Sequence, residues 1–303
     1  VDPATATLDA SRGHRRLRPG MRALLTAFAV LTALATGALF VLAENTSETF
    51  AWTIQPPLTA AFIGAGYAAG FVLVVLSLRE PLWAHSRVPV LTILVFVVLT
   101  LVATLLHVDR MHFDDDFGGL GALARGAAWF WLAVYVVVPV AMAVLLVVQE
   151  RAPGADPAPR HPVPGLLRTA LALESALLLV AGALIYVRPA TAESVWPWEM
   201  APFTARVVAA WLLAFGLATA LAAVAGDLRR LRTAAIAYTV FGALVLAAVA
   251  RFPDTLDWDA PAAWVFVALA AGVVLTGAVG WRLAPSDPAP SDPATTRSGL
   301  GRG

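Results

Sequence analysis

Eight runs of about 20 predominantly apolar residues, near 22–43, 58–78, 89–108, 127–148, 167–187, 203–225, 233–250 and 261–281, divide this chain. A helix rises 1.5 Å per residue, so each run suffices to cross ~30 Å of hydrocarbon. Composition agrees: 59% of the residues are hydrophobic and 14% charged, against roughly 45–50% and 25% in a soluble domain. The first run follows Arg12, Arg15, Arg16 and Arg18, as a signal sequence would. It is longer than the roughly 7–15 residues of a signal core and more runs follow, so it is expected to remain as a span. The fold class is therefore all-α, a polytopic transmembrane helical bundle.

Charge orients the bundle. Arginine fills the N-terminal tail (Arg12, Arg15, Arg16, Arg18, Arg22) and every second loop: Arg79 and Arg87; Arg151, Arg160 and Arg168; Arg229, Arg230 and Arg232. Arg282, Arg297 and Arg302 follow the last run. The alternate loops are acidic, with Glu44 and Glu48, Asp109 and Asp114 to Asp116, Glu193 and Glu199, then Asp254, Asp257 and Asp259. Because cytoplasmic loops retain Arg, both termini are expected in the cytoplasm. Segments 1–20 and 283–303 and the linker 151–165 are rich in Pro, Gly, Ala and Asp, and they have too little apolar surface to order themselves.

The linker separates two similar halves, 21–150 and 166–282, each expected to hold four spans. Arg22 lies 35 residues before Pro57, and Arg168 lies 34 before Pro202. "PLTA" at 57–60 answers "PFTA" at 202–205. Arg110 follows Pro57 by 53 residues and Arg251 follows Pro202 by 49. "AAW" recurs at 127–129 and 262–264. An even number of spans per half gives two parallel four-helix repeats related by an axis along the membrane normal.

The lead-in to span two, "AWTIQPP", sets where that helix begins, since proline suits the first helical position. Thr53 is a candidate cap, and Gly66 and Gly70 form a GxxxG face for close helix approach. Span six repeats the logic with Pro202, Ala205, Ala209 and Ala210, making spans two and six candidates for the central pair. Tryptophan is lopsided: Trp52, Trp129, Trp131, Trp196, Trp198, Trp258 and Trp264 belong to the outer side, only Trp83 and Trp281 to the inner. This is either an uneven interfacial belt or a Trp-lined outer vestibule.

Arg110, Arg206 and Arg251 fall at the outer ends of spans, where even-numbered helices also point their positive N-termini. With Trp52, Trp196 and Trp198 they are the candidate site for a lipidic or anionic small ligand, unless nearby acids neutralise them. His107, Asp109 and His112 offer imidazole and carboxylate to a divalent metal, although five residues on a helix separate the histidines by about 140°. The alternative is a loop-stabilising network. Glu174, ~9 Å along span five from Arg168, is a candidate proton relay or a carboxylate bonded to a neighbouring helix.

The chain has no Cys, which excludes disulfides and thiolate chemistry, and its net charge of +1 suggests no nucleic-acid partner. Walker, GxGxxG, HExxH and GxSxG motifs are absent. No cofactor is expected beyond that candidate metal. "FAWTIQPPLTAAFIGAGYAAG" and "TLLHVDRMHF" resemble segments of uncharacterised multi-pass membrane proteins of high-GC Gram-positive bacteria. The resemblance implies a bacterial plasma membrane and brings no activity with it. The leading expectation is a non-enzymatic protein that binds or moves a small or lipidic ligand at its outer face. The alternatives are a structural or assembly subunit with a membrane-protein partner, and an outer-face metal-dependent enzyme.

Overall fold

The computed structural model describes residues 13–113 and 121–285. Eight long apolar helices cross it, as the runs require for an integral membrane protein. They are α1 (Pro19–Thr36, continued by a π turn over Gly37–Val41), α2 (Pro57–Arg79), α3 (Trp83–Leu106) and α4 (Ala122–Glu150), then α5 (Gly165–Val187), α6 (Pro202–Ala225), α7 (Leu228–Arg251) and α8 (Pro261–Leu283). Proline stands at the first or second position of α1, α2, α6 and α8, where its missing N–H leaves no intrahelical bond unmade. α3 begins six residues before the apolar run expected at 89, because Pro89 lies inside the helix rather than at its start. Thr53 does not cap α2: Pro56 is the N-cap residue and makes no side-chain cap bond.

Four helices are inside and four outside. The central windows of α2, α3, α6 and α7 are 56%, 56%, 61% and 44% buried, against 22%, 28%, 22% and 17% for α1, α4, α5 and α8. The centre is thus a quartet rather than the pair α2 and α6. Helix α1 packs on α2 and α5 on α6; α3 packs on α4 and α7 on α8; α2 packs on α7 and α6 on α3. Exchanging each helix for the one four later turns this set of neighbours into itself.

Small residues permit the closest approaches. A Cβ on Gly64 would lie 2.5 Å from the Phe40 backbone nitrogen, so α1 crosses α2 there with its main chain against the glycine. Gly66 instead receives a side chain: its Cβ would stand 2.8 Å from the Trp211 ring. The GxxxG face therefore accommodates an indole, not a helix backbone. Gly66 and Trp211 are each nine residues past their helix-opening proline, so residues at the same distance from those prolines meet as a small-large pair.

On the arginine-rich side, order comes from polar partners. Asp156 accepts from Arg87 (2.6 Å), the Pro157 carbonyl from Arg230 (2.6 Å), and the Asp227 carboxylate from the Arg160 amide (3.0 Å). The 151–165 linker is held this way despite its poverty in apolar side chains. Gly154, at φ +111, turns it beneath residues 13–15, where any Cβ would stand 2.6 Å from the Gly13 carbonyl oxygen.

Candidate functional site

On the opposite, acidic side the candidate ligand residues enter separate structures. Trp52 Nε1 donates to Thr204 Oγ1 (3.3 Å), and Trp198 Nε1 donates to Thr59 Oγ1 (2.7 Å). Each indole comes from the loop before α2 or α6 and each hydroxyl from the first turn of the other helix. The two halves are thus clasped reciprocally. Trp52 also packs among Phe50, Trp131 and Phe203, while Trp196 meets Phe62, Trp198 and Phe266 edge to face. Trp129, Trp258 and Trp264 remain exposed, as belt residues do.

Each arginine has partners of its own, although Arg206 and Arg110 both act on His107. Arg206 donates through Nε to the Tyr186 carbonyl (3.0 Å) and through a terminal nitrogen to His107 Nε2. Arg251 donates to the carbonyls of Phe40 (2.7 Å) and Val41 (3.2 Å), covering the frayed end of α1. Arg110 pairs with its neighbour Asp109 at 3.1 Å, both well exposed. His112 is buried, with Nδ1 facing the Phe50 carbonyl (2.9 Å) and Nε2 facing Thr53 Oγ1 (3.1 Å). It ties the loop after α3 to the lead-in of α2. Among the described residues, no three of His, Asp and Glu form a set that could hold a metal; Asp114 to Asp116 lie outside those residues.

Burial and then the Arg206 charge hold His107 below its ordinary value, so near neutral pH it accepts from Arg206. Its unfolded value is about 6.5. A depressed folded value means that no penalty exists above about pH 6.5 and that stability falls as pH drops below it. Melting temperature should therefore fall from pH 7 to pH 5, and less in His107→Gln, which keeps an acceptor for Arg206 but does not titrate. Burial also lowers His112, in the same direction, so the decisive quantity is the difference between the two proteins. An identical pH dependence in both would exclude His107 as the source.

Glu174 is bonded to neighbouring helices. Its carboxylate accepts from Thr276 Oγ1 of α8 (3.0 and 3.2 Å) and from Tyr238 of α7 (3.3 Å). These bonds satisfy a carboxyl group that lipid could not.

The bundle also holds a concave feature that the apolar runs do not announce. A cavity of about 520 Å³ opens sideways between α1 and α4 in the acidic-side half of the bundle. Its walls run from Phe28 to Ala38 on α1 and from Ala122 to Tyr135 on α4, and its inner end reaches Tyr67, Phe96 and Trp211. Towards the arginine-rich end the two helices close, with a Cβ on Gly20 falling 3.0 Å from Leu145. At the back, the hydroxyls of Tyr67 and Tyr135 lie 2.6 Å apart, both buried. The sequence does hold a usable signal: Tyr67, Tyr135 and Trp211 stand mid-span, whereas such side chains favour the membrane interfaces.

No protein-family model, no curated protein and no solved structure matches the chain.

Proposed function

We propose that this membrane protein binds an apolar or lipidic ligand drawn laterally from the bilayer into the cavity between α1 and α4. The observation carrying this reading is the cavity itself: its volume falls within the roughly 300–1,000 Å³ of small-molecule sites, and among the described residues no charged one lines it. The site is then inside the membrane rather than at the tryptophan-rich surface, where Trp52, Trp198, Arg206 and Arg251 are engaged in internal bonds. A duplicated origin is part of the proposal. It rests on the matching landmarks, the exchangeable helix neighbours and the reciprocal Trp–Thr clasps.

Gly126 lines this space, and a Cβ added to it would meet nothing within 4 Å. Gly126→Phe should place a ring at the mouth, starting from a Cβ that meets no neighbour. Native mass spectrometry of protein gently extracted from its own membrane should show a stoichiometric apolar adduct, retained by the parent chain and lost in Gly126→Phe at unchanged melting temperature. An adduct retained equally by both proteins, or a bare parent chain, would remove this reading.

A further inference from the structure

Six of the eight spanning helices contain no acid, and α4 has only Glu150, at its last position; α5 alone carries one within its length, Glu174. Glu174 is nine residues past Gly165 and 13 before Val187, about 14 and 20 Å from the two ends of α5 at 1.5 Å per residue. Lipid at that depth offers a carboxyl group no partner. Neither α5 nor α8 contributes to the cavity between α1 and α4, so the surroundings of Glu174 are a separate place in the bundle.

No cation explains this carboxyl. Among the described residues its polar contacts are with two hydroxyls, Tyr238 of α7 at 3.3 Å and Thr276 of α8 at 3.0 and 3.2 Å. The nearest arginines along α5, α7 and α8 are Arg168, Arg232 and Arg282, six residues from Glu174, Tyr238 and Thr276 respectively. Six residues are about 9 Å along a helix axis, so all three charges stand nearer the arginine-rich side. There Arg232 is turned to the carbonyls of Trp281 and Ala284. Helix α6, which also packs on α5, has Arg206 alone, and that residue is bonded to Tyr186 and His107. A carboxylate in this position is an uncompensated charge, whereas glutamine would make the same contacts without an ionisable group.

The hydroxyls complete the network in either state of the acid. With the carboxyl ionised, Tyr238 and Thr276 both donate to it. With the carboxyl neutral, its own O–H donates to Thr276 Oγ1, Thr276 donates in turn to the Gly272 carbonyl at 2.9 Å, and Tyr238 still donates to the second carboxyl oxygen. No heavy atom has to move between the two arrangements. A Cβ on Gly272 would meet Glu174 Oε1 at 4.0 Å and nothing else, so α8 leaves room beside the carboxyl. We propose that Glu174, Tyr238 and Thr276 form a proton-binding site within the membrane, in which the carboxyl exchanges a proton while α5, α7 and α8 stay hydrogen-bonded to one another. The proton leaves to water and returns from it, its electron pair staying on the carboxylate.

The test is infrared difference spectroscopy of the full chain in vesicles of ether phospholipid, which has no carbonyl band of its own. At pH 7 ordinary carboxyls, with values of about 3.3–4.3, are ionised, and the half-buried Glu80 and Glu150 are held in ion pairs. The parent should therefore show a carboxylic-acid C=O band that is absent from Glu174→Gln, a variant able to keep both contacts. Labelling the glutamate carboxyls with ¹³C assigns the band to a glutamate in the parent itself, whether or not the variant folds. Raising the pH should convert the band reversibly into carboxylate absorption. Thr276→Val, which removes the acceptor for the acid proton, should move the band to higher frequency without abolishing it. Two results would overturn the proposal from opposite sides: no glutamic-acid band at pH 7, which makes Glu174 a permanent anion, or a band that persists at every pH the fold survives, which makes it a fixed hydrogen-bond donor. Loss of the band on adding sodium chloride at constant pH would give the site to a metal cation and overturn the proton assignment.

Discussion

Trp52→Ala is expected to destabilise the protein by about 3–5 kcal/mol, the usual cost of emptying a buried Trp site. Trp52 is 2% exposed, and ring centroids of Phe50, Trp131 and Phe203 stand 4.9, 4.9 and 4.7 Å from it. Those four side chains come from the α2 lead-in, α4 and α6, so the cavity left by truncation could close only by moving helices of both halves. Trp52→Phe isolates the hydrogen bond: it keeps most of the ring and should cost about 1 kcal/mol through the lost bond to Thr204. Thr204→Val removes the same bond from the other side. The double variant Trp52→Phe with Thr204→Val should then cost less than the sum of the two, whereas Trp52→Phe with Thr59→Val, which breaks both clasps, should add. Unfolding in mixed micelles, followed by far-ultraviolet circular dichroism, measures all of these. A Trp52→Ala penalty under about 1 kcal/mol would show that the clasp does not join the halves energetically.

The spans can be read from the sequence because their cause is one-dimensional: a run of apolar residues long enough for the bilayer is itself the evidence. Proline at the first turn of α2, α6 and α8 marks those helix starts for an equally local reason. Where the cause is tertiary, a linear reading fails. Pro89 has the look of a helix start and lies inside α3, since the preceding turn with Trp83 and Arg87 is stabilised by Glu150 on α4. Gly64 is less conspicuous than Gly66 and Gly70 yet makes the backbone contact, because which glycine meets a main chain depends on where α1 crosses. The acidic-side tryptophans can be counted, but composition does not tell an indole facing lipid from one that reaches across to a threonine 152 residues away. The cavity is the extreme case. It results from two helices that touch near one end and part at the other, and only the mid-span placement of Tyr67, Tyr135 and Trp211 hints at it.

On the arginine-rich side the two halves are tied directly by an ion pair, Glu80 with Arg229. Arg229 donates to both carboxylate oxygens of Glu80 at 3.0 Å, and His85 Nδ1 lies 3.0 Å from one of them. Both members of the ion pair are 12% exposed, so little solvent screens them. Asp227 places Arg229 by capping the first turn of α7 through the Arg229 amide (2.9 Å). Arg229→Met should leave a buried carboxylate short of its main cation and cost about 3–5 kcal/mol. Arg229→Met combined with Glu80→Gln should recover part of that loss, because the unpaired charge is then gone. Hydrogen bonds and the charges of Arg229 and His85 hold the Glu80 carboxyl below the usual carboxylate range, against the opposing effect of its burial. A depressed acid value contributes stability that is full above about pH 4.3 and disappears as pH falls through the folded value. Melting temperature should therefore drop below about pH 4.3 in the parent protein and drop less in Arg229→Met, whose Glu80 keeps its contact with His85 but has lost the part of its depression due to Arg229. If Arg229→Met melts within a degree of the parent at neutral pH and shows the same acid limb, the Glu80–Arg229 pair contributes nothing to joining the two halves on this side, and the remaining ties through the linker and the helix packing hold them.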